Sequence, residues 1–159
     1  MHSVMNTIYA PKALKSLVSK KTTFEVYEEL SRGTNEVLRS KVKSAALNNG
    51  MRFIEDESGT NINVQIFDIA GIDFSKTDLK VDLEYIKSEK PVILVMDYAF
   101  GEQAYETMDE LLKPFNQGEA KTHMNVSSIS IMGKAGILKG GKGDIMIPSA
   151  HIFKGTAEN

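Results

Sequence analysis

The run Val92-Ile93-Leu94-Val95-Met96 restricts the possible folds of this chain more than any other segment. A strand with one wet face alternates apolar and polar residues, so an unbroken apolar run predicts a strand buried on both faces, inside a sheet covered by helices. Lys90-Pro91 precedes it, and Asp97-Tyr98-Ala99-Phe100-Gly101 follows it. From Gly101 to Leu112 the pattern turns helical, with Ala104, Met108, Leu111 and Leu112 on one side and Pro114 just past the end. In open α/β sheets ligands sit beyond the carboxyl ends of strands, where a helix N-terminus offers unbonded amides and the positive end of its dipole. The same glycine has a plainer reading, in which Gly101 permits a tight turn and Glu102 complements the helix dipole.

Upstream, the periodicity predicts helices. Ala13, Leu14, Leu17 and Val18 recur at helical spacing after Pro11, which suits a helix start. Phe24, Tyr27 and Leu30, then Val37, Leu38, Val42, Ala45 and Ala46, continue the pattern to Asn48-Asn49-Gly50, with Gly33-Thr34 dividing or kinking it. The period then changes. Met51–Ile54 and Ile62–Phe67 read as a hairpin around the turn residues Glu57 to Asn61. Asp78 is expected to cap a helix carrying Leu79, Leu83 and Ile86; Asn116 to Asn125 reads as a polar surface loop; Ser128 to Met132 and Asp144 to Ile147 read as two further strands. Strand, helix, strand is the grammar of a largely parallel sheet. The expected organisation is a helical segment over 1–50 joined to an α/β domain over 51–159, forming one compact unit.

Composition excludes several chemistries. The 159 residues hold no cysteine, which removes disulfides, thiolate nucleophiles and cysteine-based metal sites; three scattered histidines give no metal-ligand spacing, so neither metal nor cofactor is expected. The formal net charge of -2 gives no basic field for nucleic acid or an anionic membrane. The longest apolar stretches have strand length and the N-terminus lacks an apolar signal region, leaving the cytoplasm as the default compartment.

The second glycine-bearing unit spans Ile129 to Pro148. Gly136 and Gly141-Lys142 match a phosphate-loop spacing, but Gly143 stands where Ser or Thr must hold magnesium, and a strand-like sequence follows where a helix is required. Glu106, Asp109 and Glu110 read as a solvated helix face, the eight methionines as core filling, and the serines at 127, 128 and 130 lie outside any nucleophile elbow.

Taken together, Met132-Gly133-Lys134-Ala135-Gly136-Ile137-Leu138, the lysine-rich connection to Gly143-Asp144-Ile145-Met146-Ile147-Pro148, and the upstream Val92-to-Ala104 unit resemble the nucleoside phosphorylase and nucleosidase superfamily. The resemblance covers about Ile62 to Asn159. It implies a three-layer α/β/α sandwich with a mixed, mainly parallel sheet, and cleavage of an N-glycosidic bond by phosphate or water. It implies that Gly133, Lys134, Ala135 and Gly136 line the base end of a pocket and that Phe100, Gly101 and Glu102 line its phosphate or ribose end, with Asp144 and Pro148 structural. Ile137 replaces the second glycine of the family's usual turn, and the family's ribose-binding and base-directed residues come from further along than Asn159. Such cleavage needs a partner for the departing base, and the two turns offer backbone groups and one lysine.

The expectation is therefore a nucleoside- or nucleotide-binding domain, a fragment or shortened relative of these enzymes, forming homo-oligomers. The alternative is a catalytically inert binding or oligomerisation module that covers its exposed sheet edges with a partner.

Overall fold

The structure is a computed structural model that describes residues 3–15, 21–33, 35–118, 120–131, 139–141, 144 and 146–147. The chain divides into two compact units, Met1–Met124 and Asn125–Asn159.

The first unit begins with α1 (Ser3–Ala13), α2 (Thr23–Arg32) and α3 (Glu36–Leu47). Their boundaries follow from capping chemistry. Thr22 and Glu25 form a reciprocal capping box at the start of α2, with Thr22 N donating to Glu25 Oε2 at 2.7 Å and Glu25 N donating to Thr22 Oγ1 at 3.3 Å. Asn35 caps α3 by accepting from Leu38 N at 3.2 Å, so the expected break near Gly33 separates two helices. α1 differs from expectation. Pro11 lies in its last turn rather than its first, and the helix residues buried in the core are Met5, Ile8, Tyr9 and Ala10, with the expected Leu14 buried just past its end. Leu17 and Val18 lie outside the described residues.

β1 (Met51–Ile54) and β2 (Val64–Asp68) form the expected hairpin, with Met51 opposite Phe67 and Ile54 opposite Val64. Short 3-10 turns at Ile69–Gly71 and Phe74–Lys76 follow, then α4 (Leu83–Glu89), β3 (Val92–Met96) and α5 (Glu102–Leu112). The cap of α4 is Asp82, which accepts from the amides of Glu84 and Tyr85, not Asp78. Phe115 to Thr122 forms a small antiparallel hairpin, β4 (Phe115–Gln117) and β5 (Ala120–Thr122), instead of a loop. In the second unit, Ser128 to Ile131 and the described residues Asp144, Met146 and Ile147 are not in strands.

The sheet overturns the expected mainly parallel sandwich: this is an α/β fold with antiparallel sheets. β2 lies between β1 and β3 and is antiparallel to both. Parallel pairing requires a crossover that returns the chain along the full length of the strands. The excursion instead comes back to the end it left, where Ile69 N donates to Pro91 O at 3.2 Å. The pleat then sets two faces. Phe67, Gln65, Met51 and Val95 point to the inner face, where α1 and α3 supply Tyr9, Leu14, Val42 and Ala46. Lys43 of α3 covers the Phe53 ring at 4.0 Å. Burial of β3 on both faces fails as well, because Val92, Ile93 and Leu94 are 56%, 40% and 39% exposed.

Buried Asn49 joins three layers of this unit. Its carbonyl accepts from the Tyr9 hydroxyl at 2.5 Å, its side-chain amide donates to Asp73 O at 3.1 Å, and its Oδ1 accepts from Asp73 N at 2.8 Å. Gly50 turns the chain from α3 into β1 at φ +90°, with a Cβ there falling 2.7 Å from Ile72 Cγ1. No helix among the described residues is long and apolar enough to cross a membrane.

Two measurements test this assembly. Tyr9→Phe leaves the buried Asn49 carbonyl without its donor and is expected to lower unfolding stability by about 1–3 kcal/mol in urea melts. Burial pushes the Tyr9 phenol up from 10 to about 12. Because the folded state holds its proton more tightly, this contribution is complete below pH 10 and is lost as pH rises toward 12, which stability measurements across that range will register.

Candidate functional site

The turn from β3 into α5 carries Phe100, Gly101 and Glu102, three of the residues that the sequence singled out. The other four, Gly133, Lys134, Ala135 and Gly136, lie outside the described residues. Within the second unit, Gly141 N donates to Asp144 Oδ2 at 2.7 Å and Asp144 N to Gly141 O at 3.2 Å.

Gly101 is the N-cap of α5, with φ 55° and ψ -127°, a conformation closed to side-chain-bearing residues. It contributes no side-chain cap. The helical ladder starts with Ala104 N and Tyr105 N donating to Gly101 O at 3.1 and 3.2 Å, so the amides of Glu102 and Gln103 lie ahead of it. A Cβ on Gly101 would meet nothing within 4 Å. The turn is therefore open, and glycine is required by its backbone rather than by crowding. Before it, Tyr98 and Phe100 meet edge to face with ring centroids 4.5 Å apart, yet remain 51% and 72% exposed. Aromatic pairs usually bury their area; this one presents it to solvent beside an uncapped helix start.

The base of the turn is held from the β1–β2 connection. Asp97 N donates to Asn63 O at 3.1 Å, and Asn63 Nδ2 donates to Asp97 Oδ2 at 2.9 Å. Asn63 Oδ1 in turn accepts from Asp56 N at 3.0 Å, and Gln103 Nε2 donates to Thr60 O at 2.8 Å. The connection is itself organised around Asp56, whose carboxylate accepts from Ser58 N, Ser58 Oγ and Asn61 N. Bonds from Ser58 above all, with further help from Asn61 and Thr60, hold the Asp56 carboxyl down at about 2.

Sequence reading named Phe100, Gly101 and Glu102 and missed Asn63, Gln103 and Asp56, which position them. The available signal was Asp56 with Ser58 two residues on, a spacing at which a carboxylate bonds local amides. Open hollows run along α3, lined by Glu36, Val37, Ser40, Lys41 and Ser44, and along α5, lined by Glu106, Thr107, Glu110 and Leu111. Among the described residues no group of three or more His, Asp or Glu side chains is arranged to hold a metal ion.

Fold and site define an α/β domain with an antiparallel three-stranded sheet and a solvent-facing aromatic turn at the end of its edge strand. The chain belongs to the group described as "Family of unknown function (DUF6909)", whose model matches residues 23–158. No curated protein and no solved structure matches it.

Gly101→Ala is expected to cost about 1–3 kcal/mol through backbone strain alone, seen as a lowered thermal midpoint with the sheet's circular dichroism retained. The Asp56 carboxyl should titrate near 2 by carbon NMR. Being depressed from 3.8, it supports the fold at pH above 3.8 and loses that contribution as pH falls toward 2.

Proposed function

We propose that this domain binds a nucleoside at the β3–α5 turn, with the base against the Tyr98–Phe100 pair and the ribose toward the start of α5. The observation that carries the reading is the exposed aromatic pair placed beside the uncapped Gly101 turn. A planar base recovers the area that the two rings leave open, a type of contact worth ~1–3 kcal/mol per base where nucleic-acid bases stack on aromatic side chains. The amides of Glu102 and Gln103 offer donors and the Glu102 carboxylate offers acceptors for ribose hydroxyls. The same carboxylate repels a phosphate at this helix start, so a neutral nucleoside fits better than a nucleotide. The likeness of the Val92-to-Ala104 unit and of Met132 to Pro148 to nucleoside phosphorylases and nucleosidases supports the same ligand class. Cleavage of the glycosidic bond asks for more, namely a group that protonates or hydrogen-bonds the departing base, and the reading made here is one of binding.

Thermal melts with adenosine, inosine and AMP in large excess test it. At a hundred times the dissociation constant a specific ligand stabilises by about 2.7 kcal/mol, a rise of several degrees for a domain of this size. Adenosine or inosine should give that rise, AMP a smaller one, and Phe100→Ala should remove it. Melts unmoved by all three ligands would sink the proposal, and free base released into solution would extend it to catalysis.

A further inference from the structure

The junction from α3 into β1 carries the chain's single Asn-Gly step, Asn49-Gly50. Asparagine before glycine is chemically labile in a free chain, because no side chain shields the glycine amide and the permissive backbone lets it reach the asparagine carboxamide. Here the fold requires both residues. Gly50 holds φ +90°, and a Cβ on it would fall 2.7 Å from Ile72 Cγ1. Asn49 is 7% exposed, and each of its polar groups is engaged. Its N–H donates to Ala46 O at 3.0 Å, its carbonyl accepts from the Tyr9 hydroxyl, and its carboxamide is clasped at both ends by the main chain of Asp73. The next carbonyl along, that of Gly50, accepts from Asp68 N at 3.1 Å.

We propose that Asn49 is a deamidation site that the native fold keeps shut and that unfolding opens. In the reaction Gly50 N bonds to Asn49 Cγ and gives up its proton, the Cγ–Nδ2 bond breaks, and ammonia leaves. Water then opens the resulting five-membered imide at either carbonyl, leaving aspartate or isoaspartate. In the folded chain the carboxamide must first give up two buried hydrogen bonds to Asp73, while Tyr9 and Asp68 pin the peptide groups on either side of the attacking amide. The product does not fit the same clasp. Aspartate lacks the Nδ2 donor and sets a carboxylate against the buried Asp73 carbonyl, whose partner is lost. Isoaspartate also lengthens the main chain by a methylene where α3 meets β1. The junction thus keeps a one-way record of time spent unfolded. This inference stands apart from nucleoside binding and is tested without any nucleoside present.

The test ages the full chain at neutral pH, in buffer and in denaturing guanidinium chloride, and follows aspartate and isoaspartate at residue 49 by peptide mapping. In denaturant, Asn49 should be lost faster than Asn116 and Asn125. Gly50→Ala, which need not fold for this arm, should slow that loss severalfold. In buffer the wild type should react at least about tenfold more slowly, because only the small locally opened population is reactive. Tyr9→Phe, checked for folding by circular dichroism, frees the Asn49 carbonyl and should speed the reaction in buffer. Deamidated protein returned to buffer should unfold at lower denaturant than fresh protein. Equal rates in buffer and denaturant overturn the proposal. So does a faster rate in the fold, which would mean that the Asp73 amide activates the carboxamide instead of restraining it, or a deamidated protein with the unfolding midpoint of fresh chain.

Discussion

Everything in the first unit hangs on the packing of Phe67 against Tyr9. Both side chains are buried, their rings are 6.5 Å apart and nearly parallel, and each comes from a different layer, the central strand and the first helix. Phe67 fixes which face of β2 turns inward, and with a pleat period of two that choice decides the face of every other strand residue. Met51, opposite Phe67, follows it into the core, while Ile66 and Leu94 follow the other parity outward. Val42 and Ala46 of α3, both fully buried, belong to the same core cluster.

Local chemistry was legible wherever it depended on neighbours in sequence. The break between α2 and α3, the β1–β2 hairpin and the helix after Gly101 all follow from capping residues and period. Direction and coverage were not legible. An apolar run such as Val92 to Met96 identifies a strand, but carries no information on whether the strand runs with or against the next one, since both arrangements bury the same side chains. What decides it is that the connection between β2 and β3 returns to the end it left, with Ile69 N bonded to Pro91 O; within that connection the helix start was ambiguous between Asp78 and Asp82. Both are aspartates ahead of helical spacing, and only Asp82 is followed by amides it can hold. Pro11 misled in a similar way: proline suits a first turn, but here it sits in the last, and most of the core residues of this segment precede it.

The candidate site divides along the same line. Phe100, Gly101 and Glu102 were visible as a glycine turn between a strand and a helix. Their support from Asn63 and Gln103 is not, because those contacts join residues 34 and 43 positions apart in the chain. The exposure of Tyr98 and Phe100 was equally hidden, since nothing in an aromatic pair's sequence says whether it faces core or water. These two rings and the apolar edge of β3 are consecutive in sequence, so the surface most open to association is one short stretch of chain.

The Asn49 junction has a practical consequence for where this domain starts. The family pattern begins at residue 23, yet α1 lies wholly before it and, with Leu14 just past its end, places Met5, Ile8, Tyr9 and Ala10 in the core. Through the Tyr9 hydroxyl and Asn49, that helix is bonded to the same residue that clasps Asp73 beyond the sheet. A recombinant protein trimmed to the matched region would carry an opened core and an orphaned carbonyl at its centre. The unit that folds is larger than the unit that the pattern recognises, and the boundary for expression belongs ahead of α1.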